Sequence, residues 1–189
     1  VDRSLGQLFA YITQRYTEDE YIVNLYSDHG SSIFAVSPPC GSVDVVSENS
    51  TGAAWMMRGA GVPESVRVQD LTSSVDIFPT LGVLCGFPVA HDIDGRLPAI
   101  FGGTARDVVY SFSQFPGQTF KLAVRSATHT LRVETQGFTQ EDGTADFAGA
   151  TARIYLRGHE LEDDCAVDSA ELRSFFYSRA REFVREIAN

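Results

Sequence analysis

The stretch Tyr21-Ile22-Val23-Asn24-Leu25-Tyr26-Ser27-Asp28-His29-Gly30 decides how the rest of the chain is read. Its first six residues form a short, nearly continuous apolar run of the kind that fills a strand buried on both faces. The run then stops on Ser27-Asp28-His29-Gly30, and the carboxyl end of a strand is where open α/β sheets place their ligands. Upstream, Asp2 stands as a cap before Leu5, Leu8, Phe9, Ile12 and Tyr16, whose i, i+3, i+4, i+7 spacing predicts a helix to about Tyr16. A helix feeding a buried strand predicts an α/β layer with a mainly parallel sheet and flanking helices.

Downstream, residues 31–52 are rich in Ser, Gly and Pro, with Pro38-Pro39 among them, and read as a long loop. Long loops at strand ends are often functional. Residues 53–57 predict a second buried strand, and after the turn at 58–63 residues 66–68 predict a third. Ser73 with Asp76 three residues later resembles a capping box, and Val75, Ile77, Phe78, Leu81 and Leu84 continue as a helix closing near Gly86. Pro79 is placed to kink that helix after its first turn. Beyond Gly103 the pattern changes to strands without intervening helices, at 108–112, 120–124, 130–134 and 154–156, which predicts a small antiparallel sheet. Asp168 and Glu171 then open a helix whose stripe runs through Leu172, Phe175, Phe176, Ala180, Phe183, Val184 and Ile187. Two units follow: an α/β part at residues 1–104, and an antiparallel-sheet subdomain with a C-terminal helix at 105–189.

Composition sets outer limits. With 43% hydrophobic residues over 189 positions the chain carries enough apolar material for one well-packed domain, or a domain with a small appendage. Its 15 basic against 25 acidic residues leave a net charge of -10, a field that opposes nucleic acid as a partner. No run of about 18 apolar residues is present. Residues 1–14 contain Asp2 and Arg3 and no apolar core of a signal peptide, so the expectation is a soluble protein without a membrane segment. Cys40, Cys85 and Cys165 show no CxxC spacing and suit free thiols, which leans toward a reducing, cytoplasmic setting. Lys121 is the single lysine and so the single candidate for a lysine-based chemistry.

Asp28 and His29 supply an oxygen and a nitrogen donor at a strand end, a mixed pair suited to a borderline divalent metal. Taken alone, the same dipeptide reads more simply as a turn cap beside a loop histidine. Other conspicuous residues have plainer explanations. His91, Asp92 and Asp94 form a turn with too few oxygen ligands for a calcium loop, and His129 and His159 read as surface residues. Arg58 before Gly59 either meets an anion or fixes the turn; Trp55, Met56 and Met57 read as buried strand content, and Glu48-Asn49 as a loop or helix-end feature.

Taken in order, these features resemble the C-terminal part of a sulfatase of the alkaline phosphatase superfamily. The matching residues are Val1-Asp2-Arg3-Ser4-Leu5-Gly6, Tyr26-Ser27-Asp28-His29-Gly30, Met57-Arg58-Gly59-Ala60-Gly61-Val62-Pro63 and Val75-Asp76-Ile77-Phe78-Pro79-Thr80-Leu81. They continue with Asp94-Gly95-Arg96-Leu97-Pro98, then Ile154-Tyr155-Leu156 ahead of the acidic stretch at 160–164. The resemblance implies that Asp28 and His29 coordinate a divalent cation, calcium ahead of manganese or zinc, in an incomplete site. It implies hydrolysis of a sulfate ester on a small molecule or glycan, with a phosphodiesterase or phosphoglycerol-type transferase as the alternative within the superfamily. The family's C/S-x-P-x-R nucleophile motif is absent, so no catalytic nucleophile is assigned, and the chain reads as the C-terminal portion of an enzyme. Residues 31–52 also lack the Lys or His that sulfatases usually carry after the metal pair. A non-catalytic binding or structural module is the reading from a different class. A sheet deprived of its neighbours bares an edge, which predicts self-association of the isolated chain.

Overall fold

The computed structural model describes residues 2–31, 36–37, 42–43, 45–160 and 167–187. Cys40, Cys165, Pro38-Pro39 and most of the acidic stretch at 160–164 lie outside the described residues. The first helix, α1, spans Asp2–Thr13 and ends a turn earlier than its apolar spacing predicts. A short 3-10 turn, Glu18–Glu20, follows; the Thr17 amide and hydroxyl both donate to Glu20 Oε2, at 2.8 and 2.9 Å.

The strand β1, Ile22–Tyr26, pairs with β4, Trp55–Gly59, and the pairing is antiparallel, Ile22 opposite Gly59 and Tyr26 opposite Trp55. The expectation of a mainly parallel sheet is therefore corrected: among the described residues every strand pair is antiparallel. The physical reason is that an apolar run records burial and carries no direction, whereas a parallel return needs a crossover of a dozen or so residues, usually helical. Among the described residues between β1 and β4 there are only β2 (Val36–Ser37), paired with β3 (Ser42–Val43), and the single-turn helix α2 (Glu48–Thr51). β1 is half-buried rather than buried on both faces, and residues 66–68 lie outside any strand.

A 3-10 turn at Ser74–Asp76 leads into α3, Ile77–Cys85, and the Ser73 amide donates to Asp76 Oδ2 at 2.8 Å as the capping pattern predicts. Pro79 is buried in the first helical turn, where its missing N–H leaves no intrahelical bond unmade. Gly86 ends the helix at φ 73°, a left-handed cap that a side chain would strain.

The second half is a four-stranded antiparallel sheet in the order β5-β6-β7-β8, formed by Val109–Ser113, Thr119–Arg125, His129–Phe138 and Thr151–Leu156. Helix α4, Ala170–Ile187, covers one face through Phe176 and Ala180, which join Phe120, Leu122, Val124 and Leu131 in the core. Tyr110 and Phe183 stack across the same interface with centroids 4.5 Å apart. Successive strand residues face opposite sides, so Arg125, one place on from Val124, is carried to the other face. It is buried there too, against the segment that precedes α2.

The buried apolar cluster consists wholly of residues between 108 and 187. Before it, among the described residues, the large buried apolar side chains are limited to Val46 and the prolines Pro79 and Pro98. The accessible surface of 12280 Å² accordingly exceeds the roughly 8,900 Å² of a compact monomer of this mass.

Candidate active site

The polar end of β1 is held at two points. The Ser27 amide donates to Ala54 O at 3.0 Å and Ser27 Oγ accepts from the Ala54 amide at 2.9 Å, which clamps the strand exit to the entry of β4. The Gly30 amide donates to Ser50 O at 2.9 Å, and a Cβ on Gly30 would lie 2.2 Å from Asn49 O, so only glycine lets the loop seat against α2. Between these anchors Asp28 and His29 project outward, with side chains 86% and 72% exposed.

The pair is ordered internally. Asp28 Oδ1 accepts from the His29 amide at 3.0 Å, and His29 Nδ1 lies 2.6 Å from Gly30 O. A carbonyl only accepts, so that contact assigns the proton to Nδ1 and leaves Nε2 with a free lone pair. Nε2 stands 3.6 Å from Asp28 Oδ2. Two donors at about 2.4 Å from one cation and at right angles would be about 3.4 Å apart, so the separation fits adjacent vertices of a coordination shell. Among the described residues no further His, Cys, Asp or Glu completes a group of three. The two residues fit a divalent cation as one edge of a site.

Asp28 also lines a cavity of about 370 Å³ between the β1–β4 pair and the second sheet. Three arginines line it, Arg67, Arg125 and Arg157. Arg125 is 3% exposed and spends its donors on structure: Nε on Glu160 Oε1 at 3.3 Å, Nη1 on Ser111 Oγ at 3.2 Å, and Nη2 on the carbonyl of Val46. Burial pulls its guanidinium below the ordinary arginine value, and the Glu160 carboxylate opposes that pull. Thr130 Oγ1 donates to the same Glu160 oxygen at 2.9 Å. Arg157 is engaged by Glu48 of α2, with Nε 2.7 Å from Oε1. The second sheet therefore grips both ends of the short segment from Val46 to Glu48, and that segment positions the carbonyl of Ser50 that holds Gly30.

Several residues singled out in the sequence take structural roles. Arg58 pairs with Glu18 at 2.9 Å and fixes the turn. Asp94 accepts through its carbonyl from Arg106 Nη2 at 3.0 Å, in a turn that packs on α3. His129 lies at the start of β7 beside Thr128 Oγ1 at 2.9 Å, Lys121 pairs with Glu134 at 3.5 Å, and His159 is exposed. Glu48 opens a helix capped by Ser47. Trp55 and Met57 are half-buried, but Met56 is 57% exposed, a correction to its reading as buried strand content that follows from its place on the uncovered face of a two-stranded sheet. Arg67, Arg125 and Arg157 were not legible as neighbours. Arg125 left one trace, a charge ending the alternating run Phe120-Lys121-Leu122-Ala123-Val124.

Residues 1–87 match the sulfatase family model. A solved structure described as BT4656 in complex with its substrate D-glucosamine-2-N,6-O-disulfate superposes on 99% of this chain with a TM-score of 0.62 and 16% identity. This chain spans 38% of that one. No curated protein matches.

Proposed function

We propose, from the premise that residues 1–87 are a sulfatase-family segment, that this chain is part of a metal-dependent sulfuric ester hydrolase acting on a sulfated sugar. The observation that carries the reading is the donor pair itself: Asp28 Oδ2 and His29 Nε2, 3.6 Å apart and both exposed, held between Ser27 and Gly30 at a strand end. The cation they would hold, calcium before manganese or zinc, supplies charge that polarises a sulfuryl oxygen. The work of the chain's own residues is positional. Gly30 and Ser27 fix the loop, the Gly30 carbonyl sets the imidazole tautomer, and the Arg125 and Arg157 contacts hold α2 beneath it. The nucleophile and the remaining ligands belong to chain outside these 189 residues, in keeping with the 38% coverage of the solved relative.

The test is sulfate release from D-glucosamine-2-N,6-O-disulfate by the intact enzyme bearing Asp28→Ala, with bound metal measured alongside. Loss of turnover by several orders of magnitude together with loss of metal is expected. Full turnover by the variant overturns the assignment, and turnover of a phosphodiester in place of the sulfate ester moves the protein to the phosphodiesterase branch. An intact protein that turns over neither ester leaves the binding-module reading.

A further inference from the structure

We infer that Arg67 is a specificity-determining residue, which fixes an anionic substituent of the sugar other than the ester that reacts. The inference rests on the sulfated-sugar reading and adds the group that discriminates among such sugars. Arg67 lines the same 370 Å³ cavity as Asp28, a volume within the range of small-molecule sites, roughly 300–1,000 Å³. The other two arginines of that wall are spent, Arg125 on Glu160, Ser111 and Val46, and Arg157 on Glu48. Arg67 makes no hydrogen bond or ion pair among the described residues. Of the three arginines that line this cavity, Arg67 alone has no carboxylate, hydroxyl or carbonyl partner among the described residues. Its planar fork matches an oxyanion with two parallel hydrogen bonds, which an ammonium does not.

The surroundings narrow the ligand further. Asp70 lines the same wall and is likewise without an ion pair, and Gln69 adds an amide. A carboxylate there repels a ligand that is anionic throughout, but accepts hydrogen bonds from hydroxyl groups. Trp55 offers an aromatic face fixed by the 2.7 Å bond from its Nε1 to Asn24 Oδ1. A ligand that satisfies Arg67, Asp70 and Trp55 together carries one charged group besides the reacting ester, several hydroxyls and an apolar ring face. An N-sulfated or otherwise anionic sugar has that chemistry.

Trp55 is the only tryptophan in the chain and lies on the cavity wall, so its fluorescence reports binding directly. The 189-residue chain is titrated with N-sulfoglucosamine, which offers the charged substituent without a reacting ester, and with N-acetylglucosamine, its neutral counterpart; calorimetry repeats both. The expected result is saturable binding of N-sulfoglucosamine, weakened at least tenfold by Arg67→Ala and less by Arg67→Lys, with N-acetylglucosamine insensitive to both. Arg67 is exposed, so the variants keep the fold, and circular dichroism verifies it. The inference is overturned if neither method detects saturable binding, if Arg67→Ala binds as the unmodified chain does, or if N-acetylglucosamine binds as tightly. The two readings fail differently: turnover surviving Asp28→Ala with this binding intact removes the hydrolase assignment alone, whereas Asp28-dependent turnover with Arg67-independent binding removes this one alone.

Discussion

Arg125, at the end of β6, donates through Nη2 to the main-chain carbonyl of Val46, 79 residues earlier in the chain. That bond couples the well-packed half of the molecule to the half that carries Asp28. The core under α4 involves residues 108–187 alone, while the loop bearing the donor pair has almost no buried apolar support of its own. Its order derives from polar ties, Arg125 to Val46 and Glu160, Arg157 to Glu48, and Gly30 to Ser50. Buried polar networks of this kind are strong when complete and costly when one member is missing.

Arg125→Ala should therefore be among the most damaging substitutions in the molecule. Removing one partner of a buried pair costs about 3–5 kcal/mol because the other charge is left uncompensated. Urea unfolding followed by far-UV circular dichroism checks it. The double variant Arg125→Met with Glu160→Leu should cost less than Arg125→Ala, since no lone charge remains.

Gly30→Ala drives a Cβ to within 2.2 Å of Asn49 O, a backbone atom that cannot swing aside. Overpacking of that kind costs about 1–3 kcal/mol. The expected outcome is a modest fall in Tm with a larger loss of manganese binding, measured by electron paramagnetic resonance on the intact enzyme, because the displaced loop carries both donors. Equal metal affinity in the two proteins would separate Gly30 from the site.

Asp76 predicts the acid limb of the stability curve. Burial raises its carboxyl pKa, but bonds from Arg106 and from the amides of Arg96 and Ser73 outweigh burial and hold it below the ordinary carboxylate value. A depressed folded-state pKa gives stability that is present above the unfolded value of about 4 and is lost as pH falls through the folded one. Asp76→Asn should thus be less stable than the unmodified chain at neutral pH and should approach it in acid. Denaturant midpoints measured between neutral pH and strong acid test the convergence.

Phe176 is fully buried in the core beneath α4. Its replacement by Ala should cost about 3–5 kcal/mol, measured by chemical denaturation.

Surface chemistry predicts association. Leu8 and Tyr11 of α1, Tyr26 and Met56 of the β1–β4 pair, and Phe78 and Val83 of α3 are all large, apolar and exposed. An open strand pair with such neighbours tends to find a partner. Sedimentation equilibrium of the isolated chain should show mass rising with concentration, and a monomer across the range would refute it.

The sequence by itself determined the elements whose signals are local. The stripe through Leu172, Phe176, Phe183 and Ile187 became α4, Ser73 and Asp76 became a cap, Gly86 became a left-handed stop, and the four short runs after residue 108 became one antiparallel sheet. Each of those depends on periodicity or on backbone freedom within a few residues, and both are written in residue order. Asp28 and His29 were legible as a donor pair for the same reason, since they are adjacent and end an apolar run. Tertiary structure alone decided the direction of the β1–β4 pairing, because apolar content is the same for a strand run either way. It also decided that Arg125 grips Val46, that Arg157 grips Glu48, and that Arg67 lines the same cavity as Asp28 without a partner of its own. Those relations join residues dozens of positions apart, and a charge carries no mark in the sequence of which distant carbonyl or carboxylate will neutralise it.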